Sequence, residues 1–592
     1  AAKHTHDSNE SGFNSEAHEG TGRWWLILIL FAATLALGWF GFSRHHASRV
    51  PAASFWYNLY LSLQLFTLES GSVPAPIPIT LNIARFLAPV VSAWALVKTL
   101  ILLFGDRIRS LRLRRLHDHV VVCGLGRRGT QLVRDFRASG ERVVAIECDD
   151  EGSGARTCRA LGASVLIGSA TEPDILRKAC VERAAHVIAV TGDDGTNAGI
   201  AVRVYQRVLD REFGIEGTVR CSIQVVDLRL ATLLQHHHVL AETRSCFEAQ
   251  VFNSYHTIAR QLLGEHPLDY ERIGPTDPRQ IHLIIVGFGE MGESLALQAA
   301  RIGCFANGRK LRLTAIDREA AVRERDFLGD HPQVRELLEI DFIAGDVRDP
   351  ALLERMRDWA DASDTITSIA VCLDDDSRSL SCALGVLSRL RNKETPLLVR
   401  MSDSIGLATL LEDEYGDETW LRVDAFGTVE EFCTREALLH EELDEIARAL
   451  HEDYAAKRLA EGRAVDDPSV QPWDRLDELL KTSSRASADH IPVKLRAIGC
   501  HMAKLGDATR RVDGFSAQEI KLLGRMEHAR WVAERLLAGW TPSRTRSPLD
   551  RKSPDLVDWD ELTDDVKQLD FDVVAGIPRF LERVGKKVYR NG

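Results

Sequence analysis

Gly124, Gly126 and Gly129 follow an apolar run in "VVVCGLGRRGT", and a carboxylate, Glu147, ends the next run, "RVVAIE". The same order returns at Gly287, Gly289 and Gly292 in "LIIVGFGEMGES", with Asp317 closing "LRLTAID". These residue types suit the binding of a nucleotide diphosphate. The first glycine makes a tight turn, the second lets backbone approach the phosphates, and the third lets a helix pack on the sheet. Leu125, Arg127 and Arg128 fill out the first loop, and Phe288, Glu290 and Met291 the second. The helix that follows offers its N-terminal amides and partial positive charge to phosphate. Glu147 and Asp317 stand where a carboxylate accepts ribose hydroxyls, which disfavours a 2′-phosphate.

Such glycines bind only when a strand precedes them and a helix follows. Both copies supply strand, turn, helix, strand and acid in that order, which is far more specific than three glycines alone. The echo continues downstream: "VLIGSATEPDILRKA" matches "DFIAGDVRDPALLERM", and "HVIAVTGDDGTN" matches "SIAVCLDDDSRS". Residues 304–310 are an insertion in the second copy. On these motifs residues 116–439 resemble tandem RCK domains, also called TrkA-N, the cytoplasmic regulators of potassium channels and transporters. The resemblance implies two Rossmann-like α/β domains, 116–275 and 276–440, that bind NAD or another adenine nucleotide. It also implies a site role for the Gly-Asp after the third strand. Asp346 keeps that acid, and Ser169 replaces it in the first copy. No domain carrying a proton donor for a nicotinamide separates the copies, so binding without turnover is expected and no enzyme. His236–His238 form the histidine cluster of the chain, read as solvated surface rather than a metal site.

The chain has 592 residues, 27% charged and 45% hydrophobic, enough for about four domains of ordinary soluble composition. A net charge of −12 argues against a nucleic-acid partner. All cysteines lie at or after Cys123 with no Cys-x-x-Cys pair, as buried thiols in a reducing cytoplasm would. Two segments differ from the rest. Residues 24–42 carry no charge, and 86–104 contain one lysine, Lys98, and Pro89; each can cross about 30 Å of hydrocarbon as a helix. Arg107, Arg109, Arg112, Arg114 and Arg115 follow the second, so both termini are expected in the cytoplasm of an inner-membrane protein.

Between the spans "SFWYNLYLSLQLFTLESG" is aromatic and uncharged until Glu69. Span, amphipathic helix, loop and span in this order resemble the two-transmembrane potassium-channel pore. The resemblance puts Thr67, Leu68, Glu69, Ser70 and Gly71 at the filter, without the Gly-Tyr centre that aims carbonyls inward. Glu69 repeated around a homotetramer would form a ring of carboxylates that favours cations.

The C-terminal region holds a second duplication. "HEDYAAKRLAEG" aligns with "HARWVAERLLAG", pairing His451 with His528, Tyr454 with Trp531 and Arg458 with Arg535. Downstream Trp473, Lys481, Ile491 and Pro492 align with Trp559, Lys567, Ile577 and Pro578. Asp474 and Asp560 are expected to cap the turns that follow. "EHARWVAERLLAGW" and "PDLVDWDEL" resemble the RyR domain, the repeat of ryanodine receptors, here in repeats 446–504 and 519–586. The resemblance implies an all-α module recognising a nucleotide-like small molecule. Trp531, Trp540 and Trp559 would stack on a base while Arg530, Arg535 and Lys567 meet phosphate, and His528, Tyr454 and Trp473 complete the expected ligand site.

The expected architecture is therefore a polar tail (1–22), a membrane α-helical pore unit with a re-entrant helix (23–115), two α/β Rossmann-like domains and an all-α duplicated module (441–592). The expected function is a ligand-gated cation channel. The alternative is a membrane-anchored dinucleotide sensor that regulates a partner transporter.

Overall fold

The computed structural model describes residues 24–47, 54–67, 69, 73, 76–113, 116–210, 217–227, 230–231, 233–234, 246–390, 394–402, 423–435, 438, 443–504, 510–547 and 550–591. Leu68, Ser70 and Gly71 of the expected filter and His236–His238 lie outside them. The chain forms two compact units, Ala1–Arg115 and Leu116–Gly592.

In the first unit, helices Trp24–Ala47 and Ile79–Leu113 contain the apolar stretches Trp25–His46 and Ile79–Leu100, with mean hydropathy 2.1 and 1.5. Both helices outrun the apolar segments read from sequence, the second by continuing through the arginine-containing stretch. The short helix Phe55–Gln64 and the turn Leu65–Thr67 pack against both. Trp39 Nε1 donates to the Phe55 carbonyl at 3.4 Å, and the Phe31 and Phe66 rings lie 4.5 Å apart. Ser92 Oγ donates to the Phe66 carbonyl at 3.0 Å. A Cβ at Gly41 would come within 2.7 Å of Leu81, so glycine lets the long helices touch.

In the second unit, strands β1 (Val120–Cys123), β2 (Val143–Glu147), β3 (Ser164–Ile167), β4 (His186–Ala189), β5 (Val219–Gln224) and β6 (Phe247–Phe252) form a parallel sheet in the order 3-2-1-4-5-6. Strands β7 (Gln280–Val286), β8 (Leu311–Asp317), β9 (Leu338–Ala344), β10 (Thr365–Val371), β11 (Leu397–Arg400) and β12 (Val423–Phe426) repeat that order in a second parallel sheet. β1 is buried throughout and β7 from Ile281 onward, as strands covered on both faces must be, which is why they read as unbroken apolar runs.

The two sheets exchange their last helices. Helix Ser254–Glu265, which follows β6, puts Ile258, Leu262 and Leu263 into the core around Leu283, Ile285 and Leu295. The helix Val429–Phe432, which follows β12, and its continuation put Val429, Cys433 and Leu438 into the core around Leu132 and Phe136. Arg435 N–H donates to Asp135 Oδ2 at 2.7 Å on the same side. Domain limits drawn at 275 and 440 thus cut between neighbours in sequence but not between cores.

The C-terminal module shares the second core. Ile491, Leu495, Leu523, Met526, Ile577 and Leu581 pack in one cluster with helix Glu290–Ile302. The expectation of an all-α module is corrected: strand Lys586–Arg590 lies antiparallel between Cys500–Lys504 and Arg510–Val512. Each repeat ends its last helix just before a glycine in the left-handed region, Gly499 (φ +68°) or Gly585 (φ +70°), which stops the helix and lets the chain continue extended. The register pairs Met502 with Val588, equivalent positions when the Ile491/Ile577 alignment continues without a gap. The repeats are therefore joined about a local pseudo-twofold axis. Asp477 rather than Asp474 caps helix Glu478–Asp489, accepting from Leu479 N–H at 2.9 Å, while Asp560 pairs with Arg525 at 3.4 Å.

Candidate nucleotide site

The carboxyl ends of β1 to β4 open into a cavity of about 570 Å³. Open parallel sheets bind ligands at this position, where the strand order reverses. Gly124, at φ +93°, makes the turn after β1, and a Cβ at Gly129 would lie 1.8 Å from the Gly124 carbonyl oxygen. Gly126 has open space before it, so its backbone faces the cavity unshielded. Helix Arg127–Ala138 starts there, and Arg127 and Arg128 line the cavity.

Glu147, at the end of β2, accepts from Leu125 N–H at 2.6 Å and from Cys148 N–H at 2.7 Å. This ties the glycine loop to the acid that should meet a ribose. Asp193 caps helix Asp194–Leu209 through Thr196 N–H, and Asn197 accepts from Thr191 N–H at 2.9 Å to hold the loop after β4. Ser169 bonds Thr171 at 2.7 Å and leaves no carboxylate on that wall.

The opposite wall was not legible from the motifs. It consists of Tyr255 and Ile258 on the exchanged helix, Arg400 at the end of β11, Ser402 just beyond it, and Gly427, Val429 and Phe432 after β12. The cavity therefore lies between the two Rossmann domains. Only the exchange of helices brings these residues to the first glycine loop.

The second loop repeats the backbone plan with different chemistry. Phe288 N–H donates to Asp317 Oδ2 at 2.9 Å, as Leu125 does to Glu147. Phe288 is buried and meets the edges of Phe327 and Phe342 at 5.1 and 5.0 Å, and Met291 is buried too. Glu290 occupies the position of Arg127. Burial raises its pKa, as do Glu293 and Asp194, against Arg128. Asp346 is held by Arg348 and Arg318, at 2.8 Å each, and hydrogen bonds from Arg348 keep it well below the usual carboxylate range. The acid that the resemblance favoured is thus already engaged, and the helix after the second glycine loop begins with glutamates.

In the C-terminal module the histidines are structural. His528 Nε2 donates to the Val557 carbonyl at 2.9 Å, and His451 Nε2 to that of Gln471 at 2.7 Å. Arg530 is buried and paired with Glu527 and Glu534 at 2.9 and 3.6 Å, so it is not offered to a ligand. Trp559 and Trp473 are buried as well, with Lys567 Nζ 5.9 Å from the Trp559 ring centre. Trp531 and Trp540 are half-buried, and the Arg535 guanidinium lies 5.7 and 5.0 Å from their ring centres. In the first repeat Arg458 stacks on Tyr454 at 5.2 Å.

Among the described residues no group of three metal-ligating side chains occurs. Burial pushes the thiols of Cys123, Cys304 and Cys372 up to about 12, which keeps them protonated and unreactive at neutral pH.

Residues 120–212 match the TrkA-N domain. Over 98 residues the chain is 30% identical to "Potassium channel protein 1" of Methanocaldococcus jannaschii, covering 16% of this chain and 29% of that protein. An uncharacterised protein of Methanothermus fervidus is 27% identical over 103 residues, 17% of this chain and 16% of the relative. Among solved structures, GsuK bound to ADP aligns with 72% of this chain and 100% of its own at 16% identity and a TM-score of 0.39. The GsuK channel bound to NAD aligns with 85% and 89% at 15% identity and a TM-score of 0.37. The cavity described above fits an adenine nucleotide such as NAD, and over residues 120–212 the chain is similar to the TrkA-N domain.

Proposed function

We propose that this chain is a nucleotide-regulated, cation-conducting channel whose regulatory nucleotide, NAD or another adenine nucleotide, binds at the first glycine loop. The observation that carries the reading is the cavity itself: glycine-loop backbone and Glu147 on one side, Arg127, Arg128 and Arg400 around it, and no carboxylate at Ser169. The 98-residue likeness to a potassium-channel protein supports it. The second loop, with Glu290 at its helix start and Asp346 engaged by arginines, is the poorer anion site.

The membrane unit is read as the pore, in a homotetramer with both termini cytoplasmic. Contacts from Phe55 to the Trp39 level and from Phe66 to the Phe31 level support a short helix that turns back into the membrane, with Glu69 just beyond its end. Irregular backbone at that depth is tolerated where it lines a wet cavity. Ligand shifts such a pore only by its differential affinity for closed and open states. In the C-terminal module, the pair Trp531 and Trp540 around Arg535 is the candidate recognition surface for a second, nucleotide-like molecule, on a RyR-type repeat.

Planar-bilayer recording of the purified chain, with ADP or NAD added to the cytoplasmic face, tests the reading. A nucleotide-dependent cation current is expected. Nucleotide binding without any current would instead identify an anchored sensor acting on a partner transporter.

A further inference from the structure

We propose that Arg400, on the second Rossmann domain, receives the phosphates of the nucleotide bound at the first glycine loop, so that one anion is gripped by both domains. This rests on the reading of the cavity as a nucleotide site. Tyr255 carries the argument. Two guanidiniums meet its ring, with Arg128 Cζ 5.0 Å and Arg400 Cζ 5.4 Å from its centre. Arg128 comes from the helix that starts at the glycine loop, and Arg400 ends β11 of the other domain.

Arg400 is built into its place. Its side chain is only 13% exposed. One nitrogen, Nη1, donates to Asp374 Oδ1 at 2.6 Å, and Asp374 is 91% exposed. Among the described residues Nε and Nη2 have no protein acceptor. Arg128 has no carboxylate within ion-pair distance among them either. Two like charges held on one ring, one nearly buried, repel each other until an anion lies between them. Guanidiniums suit phosphate oxygens because their donors are planar and paired. The motif glycines therefore fix the diphosphate from one side, and a residue far along the chain closes on it from the other.

Calorimetry on the full-length protein in detergent tests this with ADP and with adenosine, which lacks the phosphates. Arg400→Gln should weaken ADP binding about tenfold or more while adenosine stays within about twofold. Arg400→Lys should fall between, keeping the charge and losing the planar pair of donors; it also serves if the glutamine variant does not fold. The ADP affinity of the wild type should fall more steeply with salt than that of Arg400→Gln. Unchanged ADP affinity, or an equal loss for ADP and adenosine, would overturn the proposal. A wild type that binds neither molecule would overturn the cavity reading itself.

Discussion

The guanidinium of Arg260 lies 2.8 Å from the carboxylate of Asp489, where the exchanged helix of the first domain meets the C-terminal module. The same guanidinium reaches Asp444 at 3.1 Å, Arg485 holds Asp444 at 2.7 Å, and Gln298 donates to Asp489 at 3.0 Å. A network of alternating charge thus ties helix Ser254–Glu265, helix Glu290–Ile302 and both flanks of the first repeat. Tyr255, on the nucleotide cavity, sits on the same helix as Arg260. Cavity and module are therefore two ends of one short rigid element.

Replacing Arg260 by methionine strands Asp489 in a largely buried place without a cation and removes one guanidinium from Asp444. Loss of one member of a buried pair costs about 3–5 kcal/mol. Thermal or denaturant unfolding of the purified full-length chain should show a loss of that order. Arg260→Met should also weaken any response of the nucleotide site to ligands of the module. A loss below about 1 kcal/mol would refute the bracing role.

A second buried cluster sets a pH dependence. Burial by itself would raise the Glu527 carboxyl, but Arg530 and Lys494 outweigh it and hold it at about 2, below its ordinary 4.5. A carboxylate depressed in the folded state contributes stability above its unfolded value and loses it as pH falls through the folded one. Acid unfolding should therefore steepen between pH 4.5 and about 2. Glu527→Gln should flatten that limb and, at pH 7, cost about 3–5 kcal/mol by leaving Lys494 buried without its anion. Unfolding midpoints across pH check both halves.

Glu147→Gln should weaken NAD or ADP about tenfold, ~1.4 kcal/mol. The amide keeps one acceptor oxygen, so the N–H of either Leu125 or Cys148 loses its partner along with a ribose contact. Asp317→Asn in the second loop should change that affinity less than about twofold. Calorimetric titration of both variants distinguishes which loop is occupied.

If the proposed homotetrameric pore forms, Glu69→Gln should lower cation conductance or shift ion preference in bilayer recordings, because a ring of carboxylates concentrates cations at a pore mouth. Nucleotide affinity of the same variant should remain unchanged, as the substitution lies outside the Rossmann unit. A variant with wild-type current would remove Glu69 from the permeation path.

The two α/β domains and the glycine turns were legible because local rules govern them: a buried strand, a turn that only glycine makes, a helix on a fixed spacing. Tyr255 and Arg400 were not legible, since no rule of spacing relates them to Gly124, and only the exchange of helices brings them there. The arginines that engage Asp346, Arg318 and Arg348, could not be read from its motif position either. The signature residues His528 and Arg530 read as ligand contacts because histidine and arginine bind anions, yet burial turns both into internal fasteners. The strands that end each repeat escaped notice because "CHMAK" and "KKVYR" are too short and too charged to announce themselves.

The reciprocal helix exchange also governs how the chain emerges from the ribosome. When β6 has been made, the sheet it completes still lacks Val429, Cys433 and Leu438 from one face, because those residues come only after the whole second sheet. Nascent chains usually mature domain by domain from the N-terminus. Here the earlier half must wait, with greasy surface uncovered, until the later half has been synthesised, so a truncated product ending near residue 270 should recruit chaperones and clump rather than survive as a separate domain.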